Sequence, residues 1–172
     1  MFAKEWKGQW MDRILHLDIT DSTNEVLKKL AKDGAREGQV VIADEQLAGK
    51  GRRGRKFESP KGKGIYFSYL LRPKKMTPEL STLTARTAVA IQRAIYKACG
   101  IQTGIKWVND LVLHQKKVCG ILTEMCMEAG EIRYVIIGIG INVNEEEKDF
   151  PEELRKIATS FSIEMGKTFS RE

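Results

Sequence analysis

Residues 118–142 decide the fold of this chain. They read VCGILTEMCM over residues 118–127, EAGE over residues 128–131 and IRYVIIGIGIN over residues 132–142. The two outer segments are long, mainly apolar runs that contain several β-branched residues, which favours buried strands. The short polar segment with its glycine is typical of a hairpin turn. The sequence therefore predicts two long strands joined by a tight turn.

Shorter elements surround this hairpin. Strand, helix, long loop, helix and a run of hairpin strands predict an α+β fold, in which helices pack on a mixed β-sheet. Neither a repeat nor a linker divides the chain, so we expect one domain over residues 1–172. The other predicted strands are residues 14–19, 39–44, 64–72, 103–107 and 111–113. Three helices are predicted. The first begins at Ser22 with a capping-box pattern and ends at Gly34, and the third runs from Pro151 to Ala158. The second and longest begins at Thr77 and ends at Gly100, with one stripe formed by Leu83, Thr87, Ile91, Ile95 and Ala98.

Composition excludes several classes of protein. An apolar content of 42% and a charged content of 30% are ordinary for a globular protein and unlike a disordered one. No run approaches the ~18 continuous apolar residues of a membrane span, and the mixed charges of residues 1–13 argue against a secretory signal. Cys99, Cys119 and Cys126 lack metal-ligand spacing, so we expect reduced thiols in a cytoplasmic protein.

The positive charge is concentrated in one long loop, residues 46–63, called the basic loop below. Residues 50–63 hold seven basic residues and one acid, which equals the net charge of +6 of the whole chain. Such a concentration indicates a localised anionic partner. The segment GKGRRGRK (residues 49–56) fits a phosphate or nucleotide loop, a nucleic-acid contact or a solvated basic turn, and the first is slightly favoured. Because the cations repel one another, we expect the ligand-free loop to lack contacts and to be disordered.

Two further clusters add polar groups to this picture. KWVND (residues 106–110) places a lysine, an aromatic ring, an amide and a carboxylate around one turn, although an ordinary Asx turn would look the same. Lys117 opens an apolar strand, where a lysine is more often a surface residue than a catalytic one. The strand glycines in GIGIN (residues 138–142) suggest close approach by a ligand or another backbone, or a simple bulge.

Taken together and in this order, the motifs resemble the catalytic domain of the biotin–protein ligases. The resemblance runs from about Ile14 to Asn144 and implies a mixed sheet packed by helices, related to the class II aminoacyl-tRNA synthetases. The motifs are DSTN (21–24), QxAGKGRRGR (46–55), KWxNDL (106–111), KxxGILxE (117–124) and GxGIN (138–142).

The resemblance implies roles for individual residues. The family joins biotin to ATP, with Mg²⁺, and passes it from biotinyl-5′-adenylate to a lysine of a biotin carboxyl carrier protein domain. Lys117, Arg52 and Asp110 would serve the chemistry, and no protein metal site is expected. Biotin would contact Ser22, Thr23, Asn24, Gln46, Gly49, Lys50, Gly51, Arg52, Lys117 and Gly120. The nucleotide would contact Arg52, Arg55, Phe57, Lys106, Asn109, Asp110 and Asn142.

The chain departs from the family pattern at several points. Lys50 stands where arginine is frequent, Phe57 where tryptophan is usual and Val108 where proline is common. The sequence also lacks the C-terminal β domain expected after Glu172 and an N-terminal helix-turn-helix, so DNA binding is not expected. It allows a homodimer.

Two other functions are compatible with parts of the sequence. A lipoate–protein or octanoate–protein ligase or transferase of the same superfamily would need a longer and more apolar pocket. A nucleic-acid binder acting through the basic loop would show salt-sensitive affinity and no turnover, and it would leave Lys117 and residues 138–142 unexplained.

Overall fold

The computed structural model describes residues 13–75 and 77–171 of the chain. The expectation about a secretory signal concerns residues almost entirely outside this part. Four α-helices are present in the described residues, together with short 3₁₀ turns at Arg52–Gly54, Glu147–Asp149 and Glu152–Leu154. The α-helices are α1 (Thr23–Lys32), α2 (Pro78–Ser81), α3 (Leu83–Cys99) and α4 (Phe161–Met165).

Seven strands of the described residues form one sheet in the order β1-β2-β3-β7-β6-β5-β4. β1 and β2 are parallel and connected through α1, while the other neighbouring pairs are antiparallel. This arrangement confirms the predicted α+β fold with a mixed sheet. The strands are β1 (Ile14–Leu17), β2 (Val40–Ala43), β3 (Ile65–Leu71), β4 (Gly104–Lys106), β5 (Asp110–Leu113), β6 (Lys116–Glu128) and β7 (Glu131–Ile141).

The hairpin of β6 and β7 lies within the sheet, as its apolar sequence requires. Its turn places Ala129 at φ 50° and Gly130 at φ 80°, and two consecutive positive φ angles match the right-handed twist of the paired strands. All residues from 134 to 142 are buried. β7 therefore contributes to both faces of the sheet, which explains why its sequence shows no alternation of apolar and polar residues.

The two faces of the sheet have different coverings. On one face, Ile137, Ile139 and Ile141 of β7 belong to a core cluster that includes Ala88 and Ile95 of α3. On the other face, Tyr134 and Ile136 of β7 pack with Leu27 and Ala31 of α1. The second face continues past α1 towards the basic loop, and the polar motifs lie there.

Three predictions about helices are wrong in detail. The helix expected from Thr77 to Gly100 is interrupted at Thr82, the C-cap of α2 and N-cap of α3. Ala98, expected on its buried stripe, is exposed, whereas Ala88 is fully buried. Residues 151–158 contain a 3₁₀ turn at Glu152–Leu154 instead of an α-helix. The helix α4 follows this segment, and the Ser160 hydroxyl caps it by accepting a hydrogen bond from the backbone N–H of Ile163.

The predicted capping box at the start of α1 is also wrong. Ser22 occupies the N-cap position, but its side chain makes no capping hydrogen bond. The carboxylate of Glu25, which a capping box would turn back to the N-cap backbone, instead binds Lys28 and Lys50. The N-terminus of α1 is thus left facing the polar groups described next.

Candidate active site

Three glycines form the base of the site on the second face of the sheet. Gly120 of β6 pairs with Gly140 of β7, and Gly138 lies two residues earlier on the same strand. A Cβ atom at Gly138 would lie 2.2 Å from Oδ1 of Asn24, and one at Gly140 would lie 2.4 Å from the Phe57 ring. Because no side chain fits at these positions, groups from α1 and the basic loop can lie directly on the backbone. We call the three residues the glycine floor.

A network of uncharged polar side chains borders one end of the glycine floor. Oε1 of Gln46 accepts hydrogen bonds from the backbone N–H of Thr23 (2.9 Å) and from its hydroxyl (3.1 Å). Nε2 of Gln46 donates to the Ser59 hydroxyl at 2.9 Å. The Ser68 hydroxyl lies 2.7 Å from that of Thr23 and 2.5 Å from Oδ1 of Asn24. We call Thr23, Asn24, Gln46, Ser59 and Ser68 the polar end; four of them are buried, and Gln46 is half-buried.

Charged side chains surround the polar end. Nδ2 of Asn24 donates to Glu124 at 2.7 Å, and Lys28 bridges Glu124 (2.7 Å) and Glu25 (2.8 Å). Glu25 also pairs with Lys50 of the basic loop at 2.5 Å. The hydrogen bonds from Lys28 and then Lys50 lower the pKa of Glu25 to about 2. Lys50, in the N-terminal leg of the basic loop (residues 46–51), therefore pairs with a carboxylate of α1 that is ionised at physiological pH.

A second group of side chains lies at the opposite end of the glycine floor. The ammonium of Lys117 lies 2.7 Å from Oδ1 of Asp110, and the same oxygen accepts from Nδ2 of Asn109 at 2.9 Å. Nη1 of Arg52 donates to Oδ1 of Asn109 at 2.9 Å. We call Arg52, Asn109, Asp110 and Lys117 the cationic end. Two cations and one carboxylate meet there, so it carries a net positive charge next to a partly open pocket.

Phe57 lies between the two ends. Its ring covers Gly140 and Gly120, meets the ring of Tyr66 edge to face at a centroid distance of 6.4 Å, and has the Lys117 ammonium 5.7 Å from its centroid. The ring shields the glycine floor from water. It also offers an apolar surface between a neutral polar region and a positive one.

The basic loop is held by more contacts than its sequence suggests. Gly51 N–H donates to the Arg55 carbonyl at 2.7 Å, Phe57 N–H to the Gly49 carbonyl at 2.9 Å, and Gln46 N–H to the Ser59 carbonyl at 3.1 Å. A Cβ atom at Gly49 would lie 2.3 Å from the Phe57 carbonyl oxygen. The sequence did not predict these backbone contacts, which form because glycines let the two legs of the loop approach and pair.

The loop also presents fewer unpaired cations than expected. Lys50 pairs with Glu25, and Lys63 lies 2.6 Å from Glu146. These acids lie far from the loop in sequence, so the local count of charges overstated the repulsion. The loop cations classed as exposed are Lys50, Arg52, Arg53, Arg55, Lys56 and Lys61.

Most of the predicted site residues meet in one pocket. Nine of the ten residues assigned to biotin line it, and Gly49 lies just behind them in the basic loop. Of the residues assigned to the nucleotide, Arg52, Phe57 and Asn109 line it, and Asp110 reaches it through Lys117. The nine lining residues are Ser22, Thr23, Asn24, Gln46, Lys50, Gly51, Arg52, Lys117 and Gly120.

Three residues assigned to the nucleotide lie outside this group. Lys106 is exposed on β4, although it pairs in register with Asp110. Arg55 is exposed on the basic loop. Asn142 is buried and donates its side-chain N–H to the Thr159 carbonyl at 2.9 Å. Asn142 thus connects the end of β7 to the segment before α4, a structural contact that the motif did not suggest.

Sequence reasoning also missed several residues of the site. Ser68 lies on the buried face of β3, where a polar residue among apolar ones was a usable signal. Ser59, which bonds Gln46, and Leu122, which lines the pocket, carry no such signal. Serine is common in loops and leucine is common in strands. Glu124 was part of a motif but had no assigned contact, and the structure places its carboxylate against Asn24 and Lys28.

Two kinds of feature are absent from the described residues. No helix within residues 13–75 and 77–171 is long and apolar enough to cross a membrane. In the same residues no three His, Cys, Asp or Glu side chains form a group that could hold a metal ion.

This combination of fold and site belongs to a known class. Residues 17–142 match the model of the biotin/lipoate A/B protein ligase family. Because the match covers most of the chain, the chain belongs to this family.

Curated relatives narrow the class to the biotin ligases. The chain is 46% identical over 158 residues to the bifunctional ligase/repressor BirA of Bacillus subtilis, which covers 92% of this chain and 49% of the relative. It is 39% identical over 126 residues to the biotin–[acetyl-CoA-carboxylase] ligase of Paracoccus denitrificans, covering 72% of this chain and 52% of that protein. The chain thus spans about half the length of these relatives.

Solved structures agree with this assignment. The biotin protein ligase of Aquifex aeolicus in complex with biotin and ATP has a TM-score of 0.75 and 35% identity, covering 92% of this chain and 63% of that one. The biotin protein ligase of Leishmania major in complex with biotinyl-5-AMP shares the fold at 24% identity, with a TM-score of 0.75 over 91% of this chain and 68% of that one. The mixed sheet is therefore the class II synthetase-like sheet of these ligases.

Proposed function

We propose that this chain carries the biotin-activating site of a biotin–protein ligase. The reaction joins biotin to ATP, giving biotinyl-5′-adenylate and pyrophosphate, and then transfers biotin to a lysine of a biotin carboxyl carrier protein domain. The observation that carries the proposal is the order of groups along the pocket: uncharged polar, then apolar, then cationic. A ligand with a polar ring, an apolar chain and a carboxylate matches that order.

The polar end suits the ureido ring of biotin. That ring has two N–H donors and one carbonyl acceptor, so it needs partners of both kinds. Ser22 and Thr23 carry hydroxyls that can donate or accept, and Gln46 is fixed by bonds to Thr23 and Ser59. A site built to satisfy polar groups discriminates strongly against ligands that lack them. The dithiolane ring of lipoate and the chain of octanoate would leave these groups unpaired.

The cationic end suits the first chemical step. A biotin carboxylate is ionised at neutral pH, so its attack on the α-phosphorus of ATP requires charge neutralisation and not a base. Lys117 and Arg52 supply that charge at the edge of the pocket. The metal enters as part of the Mg–ATP substrate, since Mg²⁺ is commonly held by substrate phosphates with one or two carboxylates. Asp110 is a carboxylate at the place where such phosphates would lie.

The second step requires a neutral lysine amine on the acceptor protein. Asp110 is the carboxylate of the cationic end and can assist the amine once Lys117 has moved towards the phosphate. The carrier-protein acceptor follows from the relatives that are named as acetyl-CoA-carboxylase ligases. We also infer a cytoplasmic location, supported by three free cysteines, and retain a homodimer as a prediction.

Biotin-dependent exchange of pyrophosphate into ATP tests the proposal most directly. The chain should catalyse exchange with biotin and Mg–ATP, and not with lipoate or octanoate. Melting curves provide a second measurement, because a ligand of the folded state raises the melting temperature in proportion to the logarithm of its concentration over Kd. Equal shifts with biotin and lipoate would contradict the biotin assignment. Salt-sensitive binding of single-stranded nucleic acid without exchange would favour a nucleic-acid binder instead.

A further inference from the structure

Glu145 is a buried carboxyl group that the proposed reaction does not use. It lies in the segment that follows β7 and is only 1% exposed. Its Oε1 atom accepts a hydrogen bond of 2.9 Å from the Tyr66 hydroxyl, while Oε2 is buried without a partner among the described residues. An ionised carboxylate in such a place would be costly, because half of its charge would lack a hydrogen-bond donor.

Tyr66 connects this carboxyl group to the basic loop. It lies in β3 and is fully buried. Its hydroxyl lies 3.2 Å from the carbonyl oxygen of Pro60, and its ring packs against Phe57. Pro60 and Phe57 both belong to the C-terminal leg of the basic loop, residues 55–63, which returns from the cationic end. Tyr66 therefore contacts this leg twice, once by a hydrogen bond and once by its ring.

Gly64 shows that the room around this pair is filled. A Cβ atom there would lie 2.5 Å from Oε1 of Glu145 and 2.5 Å from the Tyr66 hydroxyl. The two groups thus occupy the space a side chain would need, at the residue that follows the basic loop. The Tyr66 hydroxyl therefore lies close against the Gly64 backbone, between Glu145 and Pro60.

The hydroxyl of Tyr66 has one proton and faces two acceptors. When Glu145 is ionised, that proton can serve either the carboxylate or the Pro60 carbonyl, and the charged acceptor binds it more strongly. When Glu145 is protonated, it donates to the tyrosine oxygen, and the tyrosine proton is free for Pro60. Only the protonated carboxyl group satisfies both bonds.

We propose that Glu145 acts through Tyr66 as a positioning residue that fixes the C-terminal leg of the basic loop over the glycine floor. The proposal rests on the proposed function only in giving the loop a ligand to cover. Loss of the carboxyl proton releases the Pro60 carbonyl, and the leg that carries Phe57 becomes more mobile. The loop should therefore be held more firmly at acidic than at basic pH.

The environment of Glu145 places this change in an accessible pH range. Burial raises the pKa of Glu145 to about 7, opposed by hydrogen bonds from the backbone and Tyr66, with Asp149 adding a further increase. Burial and the negative charge of Glu145 also raise the pKa of Tyr66, which therefore stays protonated throughout. The other charged groups nearby are Lys63 and Glu146 on the loop side, Asp44 after β2, and Arg171, which bonds the Gly64 carbonyl.

Amide hydrogen exchange of the ligand-free protein at pH 6 and pH 8, corrected for the intrinsic rate, tests the proposal without requiring activity. The amides of Phe57 and Gln46 are the reporters, since each bonds across the loop. In the wild type, protection should fall about fivefold at pH 8, the change expected for one hydrogen bond. In Glu145→Gln, whose amide donates to Tyr66 at every pH, protection should stay at the acidic level. The exposed neighbour Glu147→Gln is the matched control and should behave as the wild type.

Tyr66→Phe separates the hydroxyl from the ring. It removes the bond to Pro60 but keeps the contact with Phe57, so protection should be low at both pH values. Two results would overturn the proposal: a wild-type profile that does not change between pH 6 and pH 8, or Glu145→Gln retaining the change. If Tyr66→Phe does not fold, the Glu145→Gln profile decides alone. A protein that shows the predicted exchange but no pyrophosphate exchange would retain this proposal and lose the proposed function.

Discussion

The polar end and the cationic end of the pocket are built in different ways. The polar end consists of mostly buried side chains that bond one another, and a shift in one of them leaves others unpaired. The cationic end consists of partly exposed side chains joined in pairs, such as Lys117 with Asp110, whose side chains are 30% and 23% exposed. Ion pairs at that exposure contribute little to stability. The comparison indicates that one end is preformed and the other is free to rearrange around a ligand.

Replacing Lys117 by alanine is the strongest test of that difference. We expect the rate of pyrophosphate exchange to fall by about 10² or more, the effect of removing one group that stabilises charge in the transition state. The melting temperature and the affinity for biotin alone should change little, because the polar end is untouched. Lys116→Ala, one residue earlier on β6, is the matched control and should leave the rate unchanged. An active Lys117→Ala protein would return Lys117 to the role of a surface residue.

Gly138→Ala tests the opposite end. The new methyl group would meet Oδ1 of Asn24 at 2.2 Å, and crowding of this kind costs about 1–3 kcal/mol. Stability measured by urea unfolding and biotin affinity measured by calorimetry should fall together. Gly104→Ala on β4 is the control, since the nearest atom to its methyl group would be in the Val112 side chain at 3.3 Å. A stable Gly138→Ala protein with normal biotin binding would mean that the polar end is not rigid.

The fold was largely predictable from sequence because its central hairpin is encoded locally. An apolar run, a turn with glycine and a second apolar run leave few alternatives for residues 118–142. The break of the long helix at Thr82 was not predictable, because Thr82 is compatible with a helix and the break depends on packing. The 3₁₀ turn at Glu152–Leu154 was likewise missed, since acidic residues after a proline also begin ordinary helices.

The site was predictable as a set of motifs but not as a set of contacts. Ser68 bonds Asn24 across 44 positions of sequence, and the packing of α1 on β3 brings them together. Lys50 pairs with Glu25 of α1, and Lys63 pairs with Glu146 after β7. A count of charges within the loop could not reveal these ion pairs. Asn142 belongs to a motif, but its side-chain amide donates to the Thr159 carbonyl. The spacing of residues in the motif does not predict this contact.

Arg52→Gly should separate retention of the intermediate from uptake of biotin. Arg52 reaches Asn109 from the basic loop, so its loss opens the loop at the cationic end. We expect biotin affinity to change less than about threefold. Biotinyl-adenylate should escape, because a charged hydrogen bond that holds the loop is lost, and it should label lysines of bystander proteins. Mass spectrometry of a mixed-protein incubation measures this. Arg53→Gly removes the same charge from a residue at φ 57°, and it should label no more broadly than the wild type. Equal labelling by both variants would mean that charge alone, and not the contact with Asn109, retains the intermediate.

The smallest expected effect concerns the order of the basic loop itself. Backbone hydrogen bonds pair its two legs, so ligand binding should increase protection against hydrogen exchange by several-fold and not convert a disordered segment into an ordered one. The amide of Gly51 bonds the Arg55 carbonyl next to the loop tip, residues 52–54. It should gain protection when biotin and ATP are both present. The amide of Thr23, which bonds Gln46 at the polar end, should be protected before any ligand is added.

An anion that accepts from loop N–H groups and pairs with Arg52 would draw the tip inward, and a closed tip would keep water from the anhydride. If both amides gain equal protection, the two ends close together and the polar end is not preformed. If neither gains any, the loop is a rigid element, and the exclusion of water must come from another part of the protein.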